Sequence, residues 1–414
     1  MSVLDAPDKV TGLQLQRIPL SCLADLAPHR AEWLGLLAQI PTALPFQTPE
    51  WCWAWWQTFA VQSRFRRDHL SLMLLREQGR LVGLWPLVRS LSGWGPLVLI
   101  SQWRPLGADP NLTELRTPLV LPGYEAAVAR YWLDLVERQP GMHQVILPSD
   151  VLGQELARRS GLVRLGQREV PNYVLQPGSD WPAFKTGLKR NIKESLRRCY
   201  NSLAREGLSP QLEVLSDPAA LREQLPEFYR LHGLRADQAD TIAHPDYFES
   251  AQHRRFIDGL LDQAGEGAAL GVRLFVLRVS GQAVAMRLAF QTRQELYLYY
   301  SGYEPAWGRF SVMTTLVSEL IQWAQAQGLS TVNLSVGRDV SKTRWGPQER
   351  LFGDHYLAGA GPINRFLMRA LVRRRGLSAG YLTAEQAAQQ ALEDAQAEAA
   401  EASLLPPQSA QRAA

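Results

Sequence analysis

Cysteine is scarce, with Cys22, Cys52 and Cys199 the only three in 414 residues. At wide and unrelated spacings they suit neither a disulfide framework nor a zinc site. Histidine numbers seven, with no HExxH pattern or ligand-like cluster, so no metal is expected. No apolar run approaches the ~18 residues needed to cross a bilayer. The first thirty residues carry Asp5 and Asp8 and no continuous apolar core, so no signal peptide is visible. These absences together lead to the expectation of a reduced, cytoplasmic chain.

What is present is ordinary for a folded protein: 46% apolar and 20% charged residues, which excludes a fully disordered chain. The length suggests two or three domains. Charge is close to balanced, 44 Lys+Arg against 40 Asp+Glu, but unevenly spread. The last stretch holds Glu385, Glu393, Asp394, Glu398 and Glu401 against Arg412, which leaves the body basic. Residues 377–414 are rich in Ala, Glu and Gln with few large apolar side chains, and read as a partly helical tail with no face to bury.

Two stretches look alike. LSLMLLREQGRLVGLWPLV (70–88) and RLFVLRVSGQAVAMRLAFQ (273–291) each read as strand, tight Gly-containing turn and strand. Superposed, Arg76 falls on Arg278, Gly79 on Gly281, Val82 on Val284 and Gly83 on Ala285. Each follows two helix-like segments, 22–39 and 49–60 in the first half, 217–234 and 246–264 in the second. A duplicated unit follows. In the clearer second copy, ELYLYYS (295–301) extends the hairpin and SVMTTLVSELIQWAQAQG carries an apolar face, with Ser311 as N-cap and Gly328 past its end. STVNLSVG then places Val332, Leu334 and Val336 on one side. The order predicts an α+β layered fold. Between the copies, residues 181–205 read as one amphipathic basic helix, with Leu188, Ile192, Leu196 and Leu203 as its apolar stripe.

The order of FQTPEWCWAWWQTF, LKRNIKESLRR, FYRLHGLRAD, YLYYSGYEPAWGRFS and LSVGRDVSKTRWG resembles the CelD/BcsL-like acetyltransferases associated with cellulose and exopolysaccharide biosynthesis. These are tandem GNAT-type proteins related to the Fem-type aminoacyl transferases. The resemblance implies tandem GNAT-like domains, a mixed sheet flanked by helices, over residues 1–178 and 179–376, followed by the tail. It implies transfer of an acyl group, acetyl or longer, from acyl-CoA to an amine of a small molecule or sugar precursor. Two alternatives stand beside it: aminoacyl-tRNA as donor, and a catalytically silent scaffold. The chain departs from the family pattern at Ser341, where Tyr is frequent, and in having few glycines beyond Gly302 and Gly308 in the donor loop.

Acyl transfer from a thioester needs a cradle for pyrophosphate, a polarised carbonyl and a base for the ammonium. Gly308, Arg309, Phe310 and Ser311 lead into a helix N-terminus that would supply free amides to a phosphate; the plain alternative is a strand-to-helix turn. Strict alternation sets Tyr297, Tyr299 and Ser301 on one face and Tyr300 on the other. Tyr300 and Tyr303 are candidates for protonating the departing thiolate, although aromatic residues simply suit strands. His232 is the histidine placed for general-base work, with Arg235 one turn on to hold an anionic substrate group. Asp339, Lys342 and Arg344 follow a strand, where a sheet end opens, as base and substrate contacts. WCWAWW (51–56) suits core or interface packing, or a sugar platform. NRFLMRALVRRR (364–375) suits an anionic membrane surface or a docked C-terminal helix, and the basic 181–205 segment would meet tRNA under the aminoacyl alternative.

Overall fold

The computed structural model describes residues 12–94, 97–107, 112–139, 141–157, 163–237, 245–265, 267–358 and 362–374. The 377–414 tail, Arg375 and part of the segment after the first hairpin lie outside them. The first repeat runs β1 (Leu13–Leu20), α1 (Ala27–Ala38), α2 (Pro49–Phe59), β2 (Arg66–Glu77), β3 (Arg80–Trp94), β4 (Leu97–Pro105), the short β5 (Leu119–Val120), α3 (Glu125–Arg138), β6 (Met142–Pro148), α4 (Ser149–Ala157) and β7 (Val163–Leu175). The second opens with α5 (Trp181–Gly187) and α6 (Arg190–Arg205). It continues through β8 (Pro210–Leu215), α7 (Pro218–Ala236), α8 (Ala251–Gln263), β9 (Gly271–Val279), β10 (Gln282–Gln291) and β11 (Glu295–Tyr303). It closes with α9 (Val312–Ala326), β12 (Thr331–Val336), α10 (Val340–Thr343), β13 (Gln348–Ala358) and α11 (Pro362–Arg374).

The alignment of the two hairpins holds to the level of backbone angles. The β2–β3 turn has Gln78 and Gly79 at φ +48° and +84°, and the β9–β10 turn has Ser280 and Gly281 at +50° and +81°. Both central residues with positive φ make the hairpin turn whose twist matches the flanking strands. Each hairpin also carries a bulge at the aligned residues Val82 and Val284, and Arg76 and Arg278 each donate to the turn glycine's carbonyl.

All strands join one mixed sheet in the order β1-β2-β3-β4-β6-β13-β7-β12-β11-β10-β9-β8, with β5 against β3. Read outward from the β13–β7 pair, the two repeats mirror each other. The parallel pairs are β4 with β6 and β11 with β12. The last strands are exchanged: β7 lies against β12, while β13 lies against β6 of the first repeat. Helices cover both faces, a mixed α+β architecture.

One core runs through both repeats. Trp51, Trp55, Phe256, Phe290, Tyr297 and Tyr299 all belong to it, and α2 packs on α8, with the Trp51 ring 4.9 Å from Phe256 and 6.2 Å from Tyr299. The tryptophan-rich helix is therefore the seam between repeats. A second core lies under α6 and α9 and gathers Ile192, Leu196, Phe275, Phe310, Leu316 and Leu320.

Four local expectations change. The 181–205 helix is two helices, because Leu188 and Lys189 after Gly187 are extended (ψ 151° and 154°). Ser311 precedes α9 but its side chain caps nothing, since its backbone is left-handed at φ +53°. Tyr300 shares a side with Tyr299, their rings 4.3 Å apart. The cause is a bulge: Leu298 pairs with Ala289 and Ser301 with Arg287, so two residues oppose one and the alternation shifts. Val336 leaves the side of Val332 and Leu334 and packs on the first core, because Ser335 sits at φ +72° and interrupts the period of two.

Candidate active site

Strands β11 and β12 pair only from Glu295–Tyr297 with Thr331–Asn333. Beyond that point the β11 bulge and the left-handed Ser335 fall on the two sides of the seam, and the strands run on without pairing. Ser335 is held in its strained conformation by Asn333, whose Oδ1 accepts its N–H at 2.9 Å. The opening is thus built by two departures from regular β geometry.

A segment of the first repeat closes one side of this opening. Leu112 O accepts from Tyr299 Oη at 2.5 Å, and Thr113 Oγ1 accepts from Trp51 Nε1 at 3.1 Å. Next in sequence, Glu114 accepts from Tyr297 Oη at 2.5 Å and from Ser335 Oγ at 3.3 Å. Glu114 therefore spans β11 and β12 where they part. Burial raises its pKa above the usual carboxylate range, against the opposing pull of Lys342, its two hydroxyl donors and Arg287. Burial in turn lowers the Lys342 ammonium, opposed by Glu114 and Asp339; its Nζ donates to the Val336 carbonyl.

Two guanidiniums meet on one hydroxyl beside these groups. Arg235 Nη1 and Arg287 Nη2 donate to Ser301 Oγ at 2.7 and 3.1 Å. Asp339 offsets the charges of Arg235, Arg287 and Lys342, while its Oδ1 also caps α10 by accepting the Ser341 N–H at 2.7 Å. Tyr303 lies near Arg235; burial raises its pKa, so the phenol keeps its proton. Its ring also adjoins Gly308 in the short helical turn Pro305–Phe310 that leads to α9.

The other expected residues fall around this cluster. His232 is 3% exposed, with Nδ1 3.0 Å from the Ser301 carbonyl oxygen and Nε2 3.8 Å from Asp246 Oδ1. Burial lowers its pKa and keeps the ring neutral. Tyr300 is caged by His232, Tyr247 and Phe248. Helix α7 lies so close to β11 that a Cβ on Gly302 would meet His232 N at 2.3 Å; only glycine fits there. Phe310 is buried in the second core, and Arg309 turns outward to Glu206 at 3.1 Å. Arg344 reaches α6, donating to Ser195 Oγ at 2.6 Å, and its charge acts on Cys199 of that helix, which packs against α9. Arg344 and the α9 N-terminus thus form one end of the opening, and the Glu114–Arg287 cluster the other. Among the described residues no group of His, Cys, Asp and Glu is arranged to hold a metal.

Sequence reasoning missed Glu114, Arg287, Ser301 and Ser335. Arg287 had a signal: it is a lone charge inside the apolar strand QAVAMRLAFQ.

Residues 190–343, α6 through α10, match the family described as acetyltransferase (GNAT) domain. No curated protein matches. Among solved structures, the crystal structure of FemX superposes with a TM-score of 0.54 at 10% identity, covering 82% of this chain and 96% of that one, which shows a shared fold. The C-terminal domain of a putative lysylphosphatidylglycerol synthetase from Agrobacterium fabrum gives 0.47 at 15% identity, covering 84% and 96%. A tandem GNAT protein from the clavulanic acid biosynthesis pathway gives 0.40 at 14% identity, covering 84% and 99%. The second repeat therefore contains the segment that matches the GNAT-domain model, and the chain has a GNAT-like fold.

Proposed function

We propose that the protein is an N-acyltransferase that moves an acyl group, acetyl or longer, from acyl-CoA to the amine of a small molecule or sugar precursor. The observation that carries this reading is the parting of the parallel strands β11 and β12 beside the N-terminus of α9. In this reading the donor's pantetheine lies along the parted strands and its pyrophosphate meets the first amides of α9. Arg344 adds a fixed positive charge at that end, and α6 supplies exposed Lys189, Arg190, Arg197 and Arg198 alongside. The β11 bulge leaves a backbone N–H outside the ladder, aimed at the thioester oxygen as negative charge grows there.

The acceptor enters from the side of α7 and the 112–116 segment. Glu114 takes a proton from the ammonium, and the free amine attacks the thioester carbonyl carbon. The tetrahedral intermediate collapses, the C–S bond breaks, Tyr303 gives its proton to the departing thiolate, and the second proton lost by the nitrogen passes through solvent to restore the phenol. His232 holds Ser301's carbonyl, and through it the strand, rather than meeting the acceptor; Asp339 fixes α10 and the charge balance. Thiol release from acetyl-CoA, with a panel of amines, tests these roles. Glu114→Gln and Tyr303→Phe should each slow it while donor affinity stays unchanged; full rates in both variants would remove this site from the reaction.

A peripheral membrane contact through α11 is proposed alongside. Met368 and Val372 dock this helix on the sheet, whereas Ile363 and Phe366 are 68% and 70% exposed beside Arg365, Arg369 and Arg373. An exposed apolar pair in a basic setting suits anionic headgroups. Co-sedimentation with phosphatidylglycerol vesicles should fall sharply in Ile363→Ser/Phe366→Ser; equal sedimentation of variant and parent would contradict it.

A further inference from the structure

We infer that the acceptor is an anionic amine, whose carboxylate or phosphate is bound by Arg287 and Arg235 across the Ser301 hydroxyl. This inference rests on the acyltransferase reading and adds to it the chemical class of the acceptor.

Three cations, Arg235, Arg287 and Lys342, act on one another around the opening, and among the described residues the carboxylates that act on them are Glu114 and Asp339. Both carboxylates have other work. Glu114 accepts from two hydroxyls, and Asp339 caps α10. Arg287 is left with the poorest set of acceptors. Its Nη2 shares Ser301 Oγ with Arg235, its Nη1 is 3.5 Å from the Tyr299 carbonyl, and its buried Nε has no hydrogen-bond partner among the described residues.

A guanidinium stays charged at neutral pH, so it cannot escape this setting by losing a proton. Burial and the adjacent Arg235 pull its pKa down to about 9, the direction expected when a cation is short of counter-charge. Two guanidiniums directed at one neutral hydroxyl repel each other, and a neutral oxygen returns little of that cost. An oxyanion at the same place would accept from both planar forks and remove the repulsion.

The position is also suited to an acceptor. Arg235, Arg287, Lys342, Glu114 and Tyr303 all retain partial exposure, so the cluster opens to solvent. The oxyanion would lie beside Glu114, the group proposed to take the ammonium proton. A molecule carrying an amine and an acidic group a few bonds apart would bridge these two anchors. A neutral amine would leave Arg287 as it is. Carboxylate and phosphate share this recognition chemistry, and experiment separates them.

The test uses the full chain in two measurements. The first is isothermal titration with inorganic phosphate and with acetate, in a zwitterionic buffer of low ionic strength. Saturable binding of one of them is expected, weakened roughly 10- to 100-fold by Arg287→Gln, the range for a hydrogen bond to a charged group. The second is thiol release from acetyl-CoA with matched acceptors: serine against serinamide for a carboxylate, and glucosamine 6-phosphate against glucosamine for a phosphate. The anionic member of one pair should have the higher kcat/KM by at least about tenfold, and Arg287→Gln should remove that preference mainly through KM. If Arg287→Gln does not fold, Arg287→Lys serves, and the matched pairs on the parent protein decide the matter alone. Equal rates within both pairs, or anion binding untouched by the Arg287 change, would overturn the inference. Because the anion titration needs no acyl donor, its result stands apart from failure of acyl-CoA to bind, which would count against the acyltransferase reading instead.

Discussion

A carboxylate deprived of water holds its proton more tightly, and one that also accepts from Tyr297 and Ser335 is fixed in direction. Glu114 has both properties, which suit a base that must work near neutral pH. As a base it acts only when ionised, so kcat/KM should fall as pH drops through its raised pKa. In Glu114→Gln that acid limb should vanish along with about 100-fold or more of the rate; a variant that keeps the same pH profile would place the base elsewhere. None of this was legible in the sequence. TELRTP carries no pattern that sets one acid apart, and the contact from Glu114 to Ser335 spans the two repeats. His232 shows the converse. Its motif drew attention because imidazole titrates near neutrality, and it proves to be buried against β11 with Nδ1 on the Ser301 carbonyl oxygen, where we propose that it positions the strand. Arg235 and Lys342 were legible as charges, but their convergence with Arg287 was not.

At the scale of elements, periodicity located the helices and hairpins because burying one face dictates it. The α9 face, the turn glycines and the end of α9 at Gly328 (φ +70°) follow the sequence closely. The opening between β11 and β12 escaped the same logic because it depends on breaks in the period, at the Tyr299–Tyr300 bulge and at Ser335. Neither residue type announces such a break. Likewise Leu188 closes one helix and Lys189 opens the next without a proline at the break to mark it. The proposed donor end of the opening is tied to α6 by the bond from Arg344, just after α10, to Ser195. Arg344→Ala should therefore raise the Kd for acyl-CoA by roughly tenfold, the value of one charge-assisted bond, and leave the acceptor KM in place. A change in acceptor KM alone would assign Arg344 to the other end.

For the molecule as a whole, duplication was visible in the sequence but the exchange of last strands was not, since strand order is a long-range property that neither hairpin encodes. The exchange has a thermodynamic consequence. With β7 in the sheet of the second repeat and β13 in that of the first, and with Trp51 packed on Phe256 and Phe290, neither repeat closes its own core. Calorimetry on the full chain should show one cooperative transition. Residues 12–178 and 179–376 produced separately should fail to fold, yet assemble when produced together. A cooperative transition in either piece alone would contradict this. The same sharing puts Glu114 of one repeat into the opening of the other, so the chemistry proposed for the second repeat would depend on the first. Everything proposed for the site rests on the opening holding an acyl-CoA, and isothermal titration of the full chain with acetyl-CoA and longer acyl-CoAs tests that most directly. One saturable site per chain, weakened by Arg344→Ala and unaffected by Glu114→Gln, is the expected result. A folded protein that binds none of these thioesters would contradict it.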